Sequence, residues 1–183
     1  MDNIPKSQNP NNQTTPSEHS ENAHFHQNLV KTLPHLRAFS RFLTRTPAAA
    51  DDLVQDTVTR ALAARSQYTP GTSLKAWLFT IQRNIFYEQY RRNNKECEVL
   101  KQLSSTPPAH EEQSTPHTAQ DTIRELDELL WQLPDILREA LILVGAQELS
   151  YDEAGAICNT PAGTIKARVS RARSLLNDLK EKI

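Results

Sequence analysis

Cysteine is scarce in this chain: Cys97 and Cys158 are the only two in 183 residues. They stand alone, at no metal-ligand or redox spacing, which is the pattern of reduced thiols in a cytosolic protein. No apolar run reaches the length that spans a bilayer, and no basic-then-apolar segment opens the chain. Neither a membrane partner nor export is therefore expected. No nucleophile lies beside a candidate base, and metal-ligand clusters and phosphate-binding loops are missing. No catalytic residue, metal or cofactor is expected, and an enzyme is the weakest reading. Period-two alternation never runs far enough to make a strand. A net charge of −1 leaves nucleic acid neither favoured nor excluded.

What the chain does have is charge sorted by segment. Residues 121–154 carry nine Asp/Glu against Arg124 and Arg138. Residues 155–183 carry six Lys/Arg against Asp178 and Glu181, and residues 31–101 carry twelve Lys/Arg against six Asp/Glu. Such asymmetry implies separate tasks for separate segments. Residues 1–28 are rich in Asn, Gln, Ser, Thr and Pro with little to bury, so a disordered arm is expected there. His24 and His26 have no carboxylate or thiol cluster beside them and read as part of that solvated tail. Apolar residues at helical spacing define a first domain over 29–96. Pro107, Pro108 and Pro116 mark a flexible linker over 97–121, and a second helical domain follows over 122–183. The fold expected is all-α, in two small helical domains.

The clearest local pattern lies in the second domain. Ser150-Tyr151-Asp152-Glu153 is a capping box that opens one helix. Cys158-Asn159 ends it, since Asn tolerates the left-handed conformation of a tight turn. Thr160-Pro161 is expected to start the next, with Thr as cap and Pro at the first helical position. Two helices so joined, the second of them basic, make a helix-turn-helix. Along the second, Ile165, Val169, Ala172 and Leu176 share an apolar stripe. Thr164, Arg168 and Arg171 lie on one flank of it, and Lys166, Ser170 and Arg173 on the other. A solvated amphipathic helix usually interleaves Glu with Lys, whereas this one has no acid before Asp178. That arc suits a DNA groove lined by phosphates.

In the first domain, LKAWLFTIQRNIFYEQYRR (74–92) sets Leu74, Leu78, Ile81 and Ile85 on one stripe. Phe79, Arg83, Phe86, Tyr87 and Tyr90 lie opposite, with Arg91 at the edge. Aromatics interleaved with arginine can stack unpaired bases and neutralise phosphates. A helix buried on two faces would instead place Phe79 and Phe86 in the core, and Trp77 reads as core. Upstream, ADDLVQDTVTRAL (50–62) turns Leu53, Val54, Thr57, Val58 and Ala61 one way and Asp52, Gln55, Asp56 and Thr59 the other. That acidic face fits solvent or a basic partner equally well.

These pieces, in this order, resemble an extracytoplasmic-function RNA polymerase sigma factor, with region two, a linker and region four. ADDLVQDTVTRAL and SLKAWLFTIQRNIFYEQYRR carry the first part of the likeness, and LPDILREALILVGAQELSYDEAGAICNTPAGTIKARVSRAR the second. YTPGTSLKAWLFTIQRN and REALILVGAQELSYDEAGAIC are similar to the EcfG general-stress group of alphaproteobacteria. The resemblance implies that Asp52, Gln55 and Asp56 meet the clamp helices of core RNA polymerase. It implies that the loop from Tyr68 to Ser73, with Lys75, Arg83, Asn84, Tyr87 and Arg91, holds the melted minus-ten strand of promoter DNA. It further implies that Thr164, Lys166, Arg168, Ser170, Arg171 and Arg173 dock in the minus-thirty-five major groove. The acidic helices between 121 and 153 would face the polymerase flap or an inhibitor. A small anti-sigma factor of the NepR type is the implied inhibitor, itself removed by a phosphorylated sigma-mimicking regulator. Glycine would be expected near the turn where Asn159 stands, and the first 28 residues match nothing in the family pattern.

The function expected is promoter recognition and melting as a polymerase subunit, for stress-response genes. The alternative is a sigma-like decoy that sequesters an anti-sigma factor without touching DNA. Such decoys carry a receiver domain, whereas here only SLLNDLKEKI follows Arg173. A simple helix-turn-helix repressor would leave the first domain unexplained.

Overall fold

The computed structural model describes residues 16–103 and 120–181, with side chains placed over 22–93 and 126–181. Every regular element among them is helical. The order is α1 (Pro16–Leu43), α2 (Pro47–Ala63), a 3-10 turn (Arg65–Gln67), α3 (Leu74–Leu103), α4 (Gln120–Gln132), α5 (Asp135–Leu141), a π turn (Ile142–Ala146), α6 (Tyr151–Cys158) and α7 (Ala162–Lys180). The all-α expectation holds.

Two expected boundaries shift. The stretch 16–28, expected to be disordered, is the start of α1. Pro16 occupies the first helical position, where its missing N–H costs nothing, and no glycine follows before Gly71. Residues 1–15 lie outside the described residues. At the other end of the first domain, α3 continues past the expected limit at 96 to Leu103. No glycine or proline occurs between Ser73 and Pro107 to stop it. Residues 104–119, most of the expected linker, lie outside the described residues.

The chain divides into two compact units between Thr32 and Leu33. In the first, the Thr32 hydroxyl donates to the Asn28 carbonyl at 2.8 Å. The second unit holds two lobes. In its first lobe α2 packs on α3, starting from Thr46, whose side chain accepts from the Ala49 N–H at 3.2 Å. Ala50, Leu53, Val54, Thr57 and Ala61 face inward from α2, while Asp52, Gln55, Asp56 and Thr59 face solvent. From α3, Leu74, Leu78 and Ile85 are buried as the apolar stripe requires, and Ile81 is half-buried. Phe79 and Gln82 are also fully buried, so the helix is covered on a second side. Phe79 lies 5.0 Å from the Phe39 ring of α1, and the Gln82 amide donates to the Leu36 carbonyl and the Ser40 hydroxyl. Phe86 is only half-buried, against Tyr87 and Tyr90.

In the second lobe α4, α5 and α6 each pack on α7. Ile165, Val169 and Ala172 of α7 are buried and Leu176 half-buried. Burying Ile165 and Val169 contributes about 1.5–3 kcal/mol each. The capping box is present in full. Ser150 Oγ accepts from the Glu153 N–H at 3.1 Å, and Glu153 Oε2 accepts from the Ser150 N–H at 2.9 Å. The Ser150 N–H and the Ser150 hydroxyl both donate to Glu153 Oε2, and these bonds hold the Glu153 carboxyl below the usual carboxylate range. Asn159 takes the left-handed conformation, with φ 50°. The Thr160 cap does not form. Pro161 stands at the N-cap instead, and the Thr160 hydroxyl donates back to the Cys158 carbonyl at 3.2 Å.

The turn closes tightly because of Gly155. A Cβ at that position would stand 2.6 Å from the Thr160 carbonyl oxygen and 3.3 Å from the Ala162 nitrogen, both backbone atoms that cannot swing aside. Gly155→Ala is expected to cost about 1–3 kcal/mol, like other overpacked sites. That lowers the midpoint of a thermal melt by roughly 2–12 °C for a chain this size. Asn159→Gly keeps the left-handed residue and should leave the midpoint almost unmoved. A Gly155→Ala protein that melts like wild type would show that the turn is looser than described.

Candidate functional site

Three surfaces carry the residues singled out above. On α7, Thr164, Lys166, Ser170, Arg171 and Arg173 are exposed and Arg168 is half-buried. None of these cations forms an ion pair among the described residues. Packing α7 on α5 and α6 buries the apolar stripe, so both polar flanks stay on the outside.

On α2, Asp52, Gln55 and Asp56 are exposed together. The Asp56 carboxylate accepts from the Gln89 amide of α3 at 2.9 Å, and Arg60 pairs with Glu88 at 3.0 Å. Both pairs are exposed, and such bridges contribute about 0–1 kcal/mol. They border an open groove of about 450 Å³ between α2 and α3 that also includes Thr59, Ala63, Ile85 and Arg92.

The third surface is the face of α3, and here the structure separates residues that the sequence grouped. Asn84 and Arg91 are exposed. Tyr68 is half-buried, its ring 5.4 Å from Trp77 and its hydroxyl donating to the Thr72 carbonyl at 2.8 Å. Lys75, Arg83 and Tyr87 are turned into the second lobe. Arg83 grips Glu139 of α5 through two bonds, Nε to Oε1 at 2.7 Å and Nη2 to Oε2 at 3.3 Å. The Tyr87 hydroxyl donates to Glu139 Oε2 at 3.4 Å, and the Arg83 guanidinium lies 4.5 Å over the Tyr87 ring. Lys75 Nζ donates to the Gln147 carbonyl at 2.6 Å, while the Gln147 side chain meets His35 Nδ1 at 3.1 Å.

Electrostatics follow from this burial. Desolvation works to lower the Arg83 pKa, but the hydrogen bond and charge of Glu139 outweigh it and the net shift is upward. Desolvation, with the nearby Glu139 charge, pushes the Tyr87 phenol up to about 12. Burial lowers the Lys75 ammonium, partly offset by Glu148 and Glu153. Cys158 of α6 is buried, and desolvation together with Glu139 pushes its thiol up to about 12. A thiol so placed carries almost no thiolate at neutral pH and is inert.

Residues that pattern reading passed over complete the junction. Glu139 belongs to the acidic helices expected to face the polymerase flap or an inhibitor, yet its side chain is 2% exposed, against 19% for Arg83. Arg138 is buried too. It donates to the Phe42 carbonyl across the lobes, to the Leu133 carbonyl, and to Asp135 at 2.6 Å. The Trp131 ring is approached by Arg138 at 4.0 Å and by Arg45 of the first lobe at 5.2 Å. One signal was available in the sequence. Arg138 and Glu139 interrupt an otherwise apolar run, LREALILV, where a solvated pair has no reason to sit. Among the described residues no cluster of His, Cys, Asp and Glu could hold a metal, and no helix is long and apolar enough to cross a membrane.

Comparison with known proteins agrees with the two-lobe reading. Residues 29–82 match the family described as the Sigma2 domain of PhyR, and residues 123–176 match Sigma-70, region 4. The chain is 45% identical over 156 residues to the ECF RNA polymerase sigma factor EcfG of Rhodopseudomonas palustris, covering 82% of each chain. It is 34% identical over 138 residues to the ECF RNA polymerase sigma factor SigM of Bacillus subtilis, covering 75% of this chain and 83% of that one. Among solved structures, the sigma factor RpoE of Bartonella quintana, crystallised in complex with the anti-sigma factor NepR, is 42% identical. It superposes with a TM-score of 0.72 over 86% of this chain and 97% of that one. With both lobes matched and identity of this degree across most of its length, the chain belongs to the ECF RNA polymerase sigma factors.

Proposed function

We propose that this sigma factor reads promoter DNA with two separate faces and contacts core polymerase with a third. The observation that carries the reading is the outer arc of α7. Thr164, Lys166, Ser170, Arg171 and Arg173 stand exposed beside a fully buried stripe, with no carboxylate paired to them. A basic helix held this way at the second position of a helix-turn-helix suits the major groove of the minus-thirty-five element. Arg168 supports the same face from the edge of the packing.

The minus-ten strand would lie along α3, on Asn84 and Arg91 and on Tyr68, Lys75, Arg83 and Tyr87. Three of these are occupied by the second lobe, so strand binding requires the lobes to part. Flipping a base from the duplex costs a few kcal/mol, which stacking on aromatic rings and phosphate contacts would offset. Asp52, Gln55 and Asp56 form the exposed acidic face that suits a basic polymerase surface, next to the groove between α2 and α3. Likeness to EcfG supports a role at stress-response promoters. Likeness to the Bartonella sigma factor solved with NepR supports a small anti-sigma protein as inhibitor. The decoy reading draws on the match of the first lobe to the PhyR domain. The unpaired basic arc of α7 counts against it, because a decoy has no use for a phosphate-binding helix.

Multi-round transcription with core polymerase from an alphaproteobacterium and a pool of random promoters is the direct test. Transcripts that appear only when this protein is added are expected. Their absence, together with absent core binding, would favour the decoy. Two substitutions refine it. Arg171→Ala is expected to weaken promoter use by about one phosphate contact, so that the logarithmic salt slope falls by roughly 0.9. An unchanged slope would remove Arg171 from the docking face. Reversing Asp52 and Asp56 to Lys is expected to weaken core binding at least about tenfold with an unaltered thermal melt, since both side chains are exposed and complementary charge is lost. Unaltered affinity would place the polymerase contact elsewhere.

A further inference from the structure

We propose that Glu139 is an internal stand-in for a DNA phosphate, holding the free sigma factor in a closed state that covers its own strand-binding face. The inference rests on the reading of α3 given above and adds a regulatory element to it. Arg83 holds the Glu139 carboxylate by two bonds, one to each oxygen, the bidentate mode with which arginine also holds a phosphate. Tyr87, an aromatic that the strand would use, donates to the same carboxylate. Lys75 is taken by a backbone carbonyl of the second lobe. The cavity beside Glu139 and Tyr87 measures about 10 Å³, room for a single water and none for a nucleotide.

The chemistry of the junction also fits a switch better than a permanent seam. A buried ion pair is seldom more stabilising than apolar residues of the same volume, because both ions give up hydration. When the lobes part, those ions regain water, so the opening cost is partly returned. An apolar seam would return nothing. Beside the close packing of α3 on α6, three further polar contacts cross the junction: the Phe42 carbonyl with Arg138, His35 with Gln147, and Arg45 over Trp131. Each can exchange its partner for water or, for the cations, for phosphate.

The test uses the full chain with Cys97→Ser, so that Cys158, buried on α6 where it packs against α3, is the remaining thiol. Two quantities are read: the rate at which iodoacetamide alkylates Cys158, and the dissociation constant for a fluorescein-labelled single-stranded 20-mer. If the closed state masks the strand face, apparent affinity is reduced by the open fraction, and Glu139→Gln should tighten binding roughly tenfold. The alkylation rate should rise by a similar factor, about tenfold, because it follows the same opening equilibrium. The exchanged pair, Arg83→Glu with Glu139→Arg, should protect the thiol again. An alkylation rate equal to wild type in Glu139→Gln overturns the lock. So does faster alkylation without tighter binding, which would mean that opening uncovers no strand face. Should Glu139→Gln lose its helical circular dichroism, the exchanged pair decides: a protected thiol supports the lock and a reactive one overturns it. Transcription by the wild-type protein separates the two levels. If it is active and Glu139→Gln is unaltered in both readouts, the lock alone fails; if it is inactive, the promoter reading fails.

Discussion

The Arg83–Glu139 pair is the constraint around which the two lobes are arranged. A carboxylate with a side-chain exposure of 2% is tolerable only with a cation in direct contact. The first lobe supplies that cation and the second lobe the acid. Removing Arg83 alone would leave the Glu139 charge buried without a partner, at a cost of about 3–5 kcal/mol. The protein can escape that cost by separating its lobes. The pair therefore couples stability to conformation: whatever weakens it favours the open form, whereas it need not unfold either lobe.

Two kinds of packing are at work. Within each lobe the core is apolar and closely fitted. Phe39 against Phe79, and the stripe of Ile165, Val169 and Ala172, lose hydration that nothing outside the core can restore. Between lobes α3 also packs on α6, but the ion pair, hydrogen bonds and cation–π contacts that cross the junction join groups that water or phosphate could satisfy as well. Lobes that persist while their junction dissolves are what a polymerase subunit needs if it is to span two promoter elements. The helix-turn-helix shows the intra-lobe kind at its most exacting, since Gly155 leaves no space for even one methyl group.

The sequence made much of this legible. The capping box at Ser150 and Glu153, the left-handed Asn159, the buried stripe of α7 and the inward and outward faces of α2 all depend on residues near one another in the chain. Periodicity reports such local order well. The start of α1 and the end of α3 are not legible in this way, because both are polar stretches without an apolar period, helical only for want of a breaker. It missed the Thr160 hydroxyl turning back to Cys158, a competition between two local bonds that propensity does not resolve. The larger omission was the junction. Glu139, Gln147, Arg138 and His35 find partners far away in sequence, and only the break that Arg138 and Glu139 make in an apolar run marks that pair as buried. Residues of the α3 face were correctly gathered on one helix. That three of them are already occupied is a property of the folded whole.

A free protein that is closed, and whose lobes part when it takes up its transcriptional role, is read most directly as a distance between the lobes. Spin labels at Gln67→Cys and Ser174→Cys, in a Cys97→Ser, Cys158→Ala background, place one exposed probe on each lobe. Double electron–electron resonance on the free protein should give a single narrow, short distance, and core polymerase should replace it with a long one. A broad or long distribution in the free protein, unmoved by polymerase, would contradict the account.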